Sequence, residues 1–424
     1  MLPPADSDTL SENNKLNLGH LWVFANVAET GSVSQSAENL FRAQSVVTRS
    51  IQKLEAAIGH PLFERRPSGM LLTPVGHCAL ARTGRVFSEL ETLARWCAAQ
   101  GAARALPKGS VPTYLLNARR LDSVVALARA HYMPAAAKSV GVTQSAVSAA
   151  IKVLEVGSGM RLFQRNGRGI VQTPRGQEFV LHVRRALNEL RLIPDDIAAL
   201  QGDLRGEVIV GIMPMARTVI LPQAIARASV RFPGIRICTN ESPYEILHAE
   251  LRAGDVDFIL TAMTDAQESP GMITEFLMVD KMLIVARKGH PLAKRKLTLG
   301  ELRSAQWIFP RIYAPVRAIV DGMFIRERLV PPIPVVESSD SAVLRGTLIS
   351  TDMIAAISGQ QLHLDVMSGE LVVMNVKMPD TVRAIGLRRR DGHPSPAAQA
   401  MMDVIREIAV ESGAGAGRAK GLLF

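Results

Sequence analysis

Apolar and polar positions from residue 18 to 76 follow a helical period, then give way to a short extended stretch. Leu21, Phe24, Val27 and Ala28 mark one amphipathic helix. GSVSQSAENL follows, with Ser32 or Ser34 placed as a helix cap and Ala37 and Leu40 turned inward. After the short turn FRA, QSVVTRSIQKLEAAI predicts a third helix whose buried stripe is Val47, Ile51 and Leu54, at i, i+4 and i+7. Its opposite face presents Gln44, Ser45, Thr48, Arg49 and Lys53. In PLFERRPSGMLLTPVG, Leu62 and Phe63 plug a core, and a basic, glycine-containing turn leads into a short apolar strand. Thr73-Pro74 then reads as an N-cap with proline at the first helical position. Two short helices, a third with a donor-rich outer face and a β-wing together predict a winged helix-turn-helix.

The same pattern returns 100 residues later. Residues 21–76 align with 121–176 without a gap, and 17 of the 56 positions are identical, so one small domain is duplicated in tandem. The Gly/Pro/Ser content of 101–113 predicts a linker between the copies. The second recognition segment, QSAVSAAIKVLE, keeps Gln144, Ser145, Ser148 and Lys152 but has Ala149-Ala150 where the first has Arg49-Ser50. Glutamine and arginine bond bidentately to adenine and guanine edges in the major groove, so the second face loses a guanine-capable side chain. Arg65 and Arg66 in the first wing, and Arg165 and Arg168 in the second, are placed to lie along a DNA backbone or minor groove. From Pro174 to about Gln201, the residues Phe179, Val183, Leu187, Leu190 and Ile197 predict a long amphipathic helix suited to pairing with another helix. An ordinary three-helix core would show the buried stripe, but it would not need the polar outer face twice.

From residue 207 strands and helices alternate. EVIVGIM (207–213) and DFILTA (257–262) are near-continuous apolar runs, the mark of buried parallel strands, and RIC (236–238) and MLIVA (282–286) are shorter runs of the same sort. LPQAIARASVRF, PYEILHAELRAG and PVRAIVDGMFIRERL predict helices, while WIF, PVVE, MIAAI, ELVVMNV and RAIGLRRR predict further strands. A final helix is expected from Ser395 to about Val410, with SGAGAGRAKG as a loose tail.

Composition narrows the function. A chain of 424 residues that is 47% hydrophobic and 21% charged fits two or three globular domains. No apolar run approaches the roughly 18 residues of a membrane span, and the N-terminus lacks the basic-then-apolar order of a secretory signal, so a cytoplasmic protein with no membrane partner is expected. Cys78, Cys97 and Cys238 have no CxxC spacing and read as reduced structural thiols. His248, His290, His363 and His393 lack metal-ligand spacing, so neither metal nor cofactor is expected. The absence of GxSxG, P-loop, HExxH and strand-linked GxGxxG motifs argues against an enzyme. Residues 1–206 hold 24 Lys+Arg against 16 Asp+Glu, whereas 207–424 hold 25 against 23. Nearly all the positive excess therefore lies with the duplicated pattern, which points to a polyanion partner. Aromatics at 4% leave no stacking platform for single strands.

The run Q-S-x-V-[ST]-x-x-I-x-x-L-E, then L-F-x-R, then T-P-x-G, resembles the winged helix-turn-helix of LysR-type transcriptional regulators. GIMPMARTVILPQAIARASVRFPGI and LRAGDVDFILTAM resemble the opening of that family's effector-binding domain. The PMART and PSP signatures are closest to the subgroup of galactose-binding-protein and protocatechuate-pathway regulators. The resemblance implies a multidomain fold: two α-helical winged helix-turn-helix domains, then a bilobal α/β effector domain like a periplasmic binding protein. The first winged domain is placed at 16–100, the linker at 101–113, the second winged domain at 114–173 and a dimerisation helix at 174–206. The effector domain is placed at 207–412, with lobe I at 207–285 and 373–412 and lobe II at 286–372. Family members typically carry one winged domain, and this chain has two.

In such a sheet a ligand sits at the carboxyl ends of strands, near helix N-termini. That directs attention to Met215, Ala216, Arg217 and Thr218 after the first strand, Glu241 and Ser242 after the second and Ala262 after the third. Arg311 and Tyr313 in the other lobe, and Ser358 after MIAAI, complete the set. Arg217 and Arg311 are each able to hold a carboxylate bidentately. The expected function is a DNA-binding regulator that senses a small metabolite, an acidic sugar derivative or an aromatic acid, and reads promoter DNA with tandem winged helices. Its expected partners are double-stranded promoter DNA, the effector, further copies of the chain as a homodimer or homotetramer, and RNA polymerase as a candidate contact. The competing reading is a small-molecule sensor acting through protein contacts, with one or both helix-turn-helix copies serving only dimerisation.

Overall fold

Asn17 caps the first helix, α1 (Leu18–Thr30), by accepting from the His20 amide, and Gly31 ends it in the left-handed region. Ser32, one of the two expected caps, starts α2 (Val33–Asn39) by accepting from the Gln35 amide. Helix α3 (Gln44–Ile58) buries Val47, Ile51 and Leu54 as its spacing predicts. Strands β1 (Phe63–Arg66) and β2 (Gly69–Leu72) pair antiparallel, and the long α4 (Pro74–Ala99) follows. The order then recurs: α5 (Ala118–Ala130), α6 (Met133–Ser139), α7 (Gln144–Ser158), the antiparallel pair β3 (Phe163–Asn166) and β4 (Gly169–Gln172), and α8 (Pro174–Leu200). The computed structural model describes residues 16–67, 69–100, 107, 110–167, 169–263, 270–312, 314–378 and 381–418. Most of the expected linker, 101–113, lies outside them.

The letters shared by the two copies are clamps. Glu55 Oε1 accepts from the Leu62 and Phe63 amides at 2.8 and 3.3 Å, and Glu155 does the same for Leu162 and Phe163 at the same distances. Each bond ties the recognition-like helix to the start of the hairpin. The Thr73 hydroxyl donates to the Pro61 carbonyl and accepts from the Gly76 amide, while Thr173 donates to the Arg161 carbonyl and accepts from the Gly176 amide. A Cβ on Gly76 would stand 2.2 Å from the Leu62 carbonyl oxygen, and one on Gly176 2.0 Å from that of Leu162. Only glycine lets the long helix approach so closely. Helices α4 and α8 then pack along each other, and their apolar faces join both copies in one hydrophobic core containing Val86, Leu90, Leu93, Val183, Leu190 and Ile193.

The chain divides into two compact units, the second starting at Gly206. It opens with β5 (Gly206–Ile212), α9 (Ile220–Arg231), β6 (Ile235–Asn240), α10 (Tyr244–Ala253), β7 (Phe258–Ala262) and β8 (Met272–Arg287). It continues with α11 (Leu299–Leu302), β9 (Trp307–Phe309), α12 (Pro315–Arg326), β10 (Val336–Glu337), α13 (Ser341–Ser350) and β11 (Ile354–Ser358). It closes with α14 (His363–Met367), β12 (Leu371–Val373), β13 (Val382–Arg390) and α15 (Pro396–Arg418). Strands β6, β5 and β7 run parallel, as their continuous apolar runs predict, and β13 joins β7 antiparallel. In the second sheet β10, β9 and β11 are parallel.

Strand β8 departs from expectation twice. It is antiparallel to β13, β11 and β12, and it begins ten residues before MLIVA, because its first half is a half-exposed segment, with Ile273, Phe276 and Val279 in solvent, instead of a continuous buried run. It passes between the two sheets where Lys281 pairs with Val382 and Met282 with Ser358, ahead of the expected changeover at 285. The second lobe also extends beyond 372: Met374 joins its core and Val376 bridges Leu297. Helix α15 continues through Arg418, past its expected end near Val410 and through most of the expected loose tail, with Glu411 held by Arg227 at 2.7 Å; residues 419–421 of that tail lie outside the described residues. Among the described residues no helix is long and apolar enough to cross a membrane.

Candidate functional site

The first unit presents two polar helix faces. Gln44, Ser45, Arg49 and Lys53 are exposed on α3, with Thr48 half-buried among them. Gln144, Ser145, Ser148 and Lys152 are exposed on α7. Arg65 and Arg66 on β1 and Arg165 on β3 are also exposed, and Arg66 shares its charge with Glu64 at 2.9 Å. Arg168 lies outside the described residues. Ser50 does not belong to the outer face: it is buried, and its hydroxyl donates to the Val46 carbonyl at 2.9 Å. The contrast between the outer faces therefore lies in Arg49 against Ala149 and Lys53 against the exposed Val153, while buried Ser50 stands opposite half-buried Ala150.

A residue that periodicity passed over stands beside this face. Phe41, in the turn between α2 and α3, is 97% exposed and holds a left-handed backbone with φ of 50°. The equivalent turn of the second copy carries Gly141 at φ 65°. A non-glycine residue there costs about 1–2 kcal/mol, and an aromatic ring in water gains nothing from the fold. The signal was present in the alignment as phenylalanine opposite glycine, but the left-handed turn is visible only in three dimensions.

In the second unit a cavity of about 620 Å³ opens between the two sheets. Of the expected contacts, Met215, Arg217, Glu241, Ser242, Ala262 and Arg311 line it. Three stand back. Ala216 is packed in the first-lobe core, Thr218 donates its hydroxyl to the Gln360 carbonyl, and Ser358 is buried with its hydroxyl 2.8 Å from Asp280. Tyr313 lies outside the described residues. Missing from the expectation were Ser338, Ser339 and Asp340, which lead into α13, together with Tyr244 and Arg383. They were missed because a strand of only two residues, β10, delivers the serine loop, and because Arg383 sits on a strand read as plain sheet.

The cavity is mainly apolar, with polar groups concentrated at a few points. The chain segments that start α10, α12 and α13 all contribute to its lining. The α13 N-terminus is already capped by the Asp340 carboxylate, which leaves the starts of α10 and α12 as the helix ends that favour negative charge, against the lining carboxylates Glu241, Glu245 and Glu337. Arg217 makes one long contact to the Glu241 carbonyl at 3.4 Å, and its Nε is buried without a hydrogen-bond partner. Buried donors of this kind are seldom left unmet. Arg383 is committed instead to buried Asp280, at 2.8 and 2.9 Å, at the point where β8 crosses between the lobes. Glu337 is partly neutralised by Arg317 at 3.1 Å. Among the described residues no cluster of three or more His, Cys, Asp or Glu side chains is arranged to hold a metal.

Residues 201–409 match the LysR substrate binding domain, and residues 18–77 and 118–177 each match the bacterial regulatory helix-turn-helix protein, lysR family. The HTH-type transcriptional regulator GalR of Pseudomonas putida is 46% identical over 397 residues, covering 93% of this chain and 98% of its own. The regulator PcaQ of Agrobacterium fabrum is 30% identical over 298 residues, 69% of this chain and 95% of its own, a span that fits one copy of the repeat plus the C-terminal half. A full-length OxyR variant from Pseudomonas aeruginosa shares the fold, with a TM-score of 0.54 at 21% identity, over 68% of this chain and 97% of that one. The chain thus belongs to the LysR family of DNA-binding transcriptional regulators, which are not enzymes, and joins a helix-turn-helix region to an α/β effector-binding domain.

Proposed function

We propose that both N-terminal copies are winged helix-turn-helix domains that read promoter DNA, through α3 and α7, and that a small carboxylate-bearing metabolite in the α/β cavity sets how they grip it. The observation that carries the effector class is Arg217, a cation facing a largely apolar cavity with an unpartnered buried Nε, beside the N-termini of α10 and α12. The apolar walls suit a ring or carbon skeleton, and the cationic end suits its acid group. A ligand seated there touches both lobes at once. Its influence on DNA binding equals its difference in affinity for two arrangements of those lobes. The DNA reading is supported by the exposed Gln and Ser donors repeated on α3 and α7, by an exposed lysine on each helix, and by the positive excess that lies mostly in residues 1–206.

A thermal-shift screen of the full chain against aromatic acids, sugar acids and their uncharged analogues tests the effector class. One or more acids should raise the melting temperature of the effector unit, their neutral amides should not, and Arg217→Ala should abolish the shift. Equal stabilisation by acid and amide would overturn the assignment.

A further inference from the structure

The contacts between α4 and α8 come in reciprocal pairs. Arg82 reaches Glu189 at 2.7 Å, and its counterpart one repeat later, His182, reaches Glu89 at 2.9 Å. Arg85 meets Glu189 at 3.0 Å, and Arg185 meets Glu89 at 3.9 Å. When residue i meets j of the other copy, and i of the other copy meets j, the two halves are related by an approximate two-fold axis. That is the arrangement of a symmetric dimer, formed here inside one chain.

The departures from symmetry specify the pairing. Arg82 is 1% exposed, and its guanidinium also donates to Asp196 at 2.5 and 3.1 Å, so two carboxylates of α8 satisfy it. The residue equivalent to Asp196 in α4 is Trp96, and the one equivalent to Arg82 in α8 is His182. If α4 paired with a second α4, the buried guanidinium would meet one carboxylate and an indole. If α8 paired with a second α8, Asp196 would face histidine with no arginine near. Either outcome leaves a charge less well met in a buried place, which is costly. Residues at these positions therefore choose the unlike helix, much as single polar positions choose partners in coiled coils.

We propose that one chain is a complete two-headed DNA-reading unit, with α4 and α8 paired in cis, and that it binds an interrupted inverted repeat whose two halves differ in sequence. Two-fold related recognition helices meet inverted half-sites. The half under α3 is read with Arg49 and Phe41, and the half under α7 with Ala149 and Gly141 in their places. The first half-site therefore carries an arginine–guanine contact that Ala149 cannot make in the second. This inference rests on the reading that both helices contact DNA, and its test separates the two claims.

Isotopically heavy and light full-length chains carrying Arg185→Lys are denatured together, refolded and treated with a carbodiimide, which joins the new amine to Glu89. Pairing in cis gives cross-linked peptides that are wholly heavy or wholly light. Mixed-label peptides in statistical proportion would overturn cis pairing, whatever the DNA result. Wild type, Arg49→Ala and Gln144→Ala are then each used to select binding sequences from a random duplex pool. Wild type should recover an inverted repeat with unequal halves, Arg49→Ala should relax preference roughly tenfold at a guanine in one half, and Gln144→Ala should relax the other half alone. A pool in which only one half is ever selected would overturn the two-headed reading while leaving cis pairing standing.

Discussion

Replacing Arg82 by alanine removes the cation that holds Asp196 and one that, with Arg85, holds Glu189. The guanidinium is almost wholly buried, with side-chain exposures of 2% for Arg82, 9% for Glu189 and 16% for Asp196, so water cannot take over its role. Truncating one partner of such a buried pair costs about 3–5 kcal/mol. Glu189 keeps Arg85 and Asp196 keeps slight solvent contact, which places Arg82→Ala near the lower end, at about 3 kcal/mol. With a urea dependence of about 2 kcal/mol per molar for a unit of this size, the midpoint of the first unit should fall by about 1.5 M. Tryptophan fluorescence reports it, since Trp22 and Trp96 lie in the first unit and Trp22 packs edge-on against Phe87 of α4. Asp196→Ala added to Arg82→Ala should cost far less than it does alone, because its partner is already gone. A midpoint shift below about 0.5 M, or full additivity of the two substitutions, would refute the buried network as the clasp between α4 and α8.

Phe41→Gly should raise stability by about 0.5–1 kcal/mol, the relief of the left-handed strain less the entropy of an added glycine, while weakening operator binding; lower stability in a urea titration would contradict the strain argument. Gly176→Ala should destabilise the first unit by about 2–3 kcal/mol as the Leu162 carbonyl is pushed away. Gly84→Ala, exposed in α4 with nothing near its Cβ position, should be neutral or stabilising by up to about 1 kcal/mol in the same melt. Burial pushes the Cys97 thiol up to about 11, against a small opposing hydrogen bond from Tyr114, so at pH 8 it should stay protonated and unlabelled by a disulfide reagent until the first unit unfolds. Three thiols titrating in the folded protein would refute that.

The repeat was legible because its identical letters are the ones geometry cannot spare. Glu55 and Glu155 bind the hairpin amides, Thr73 and Thr173 cap the long helices, and Gly76 and Gly176 permit backbone contact. Buried stripes such as Val47, Ile51 and Leu54 are likewise written in periodicity. Illegible was anything that depends on which surfaces meet. Arg82 reads in sequence as one more surface cation, and only its burial against Glu189 and Asp196 reveals it as the centre of a helix pair. Ser50 sits at a position that reads as outward from its neighbour Arg49, yet a one-residue step on a helix turns it inward. In the effector unit the cavity draws on residues far apart in sequence, so strand ends such as Ala262 were found while Ser338, Ser339 and Arg383 were not.

The central claim is that both heads of this regulator touch the same DNA. Hydroxyl-radical footprinting of the full chain on a promoter fragment that it binds, repeated with Arg49→Ala and with Gln144→Ala at equal salt, tests it most directly. The account predicts two protected patches on one face of the duplex, one weakened by each substitution. A single patch lost on Arg49→Ala and untouched by Gln144→Ala, or the reverse, would contradict it.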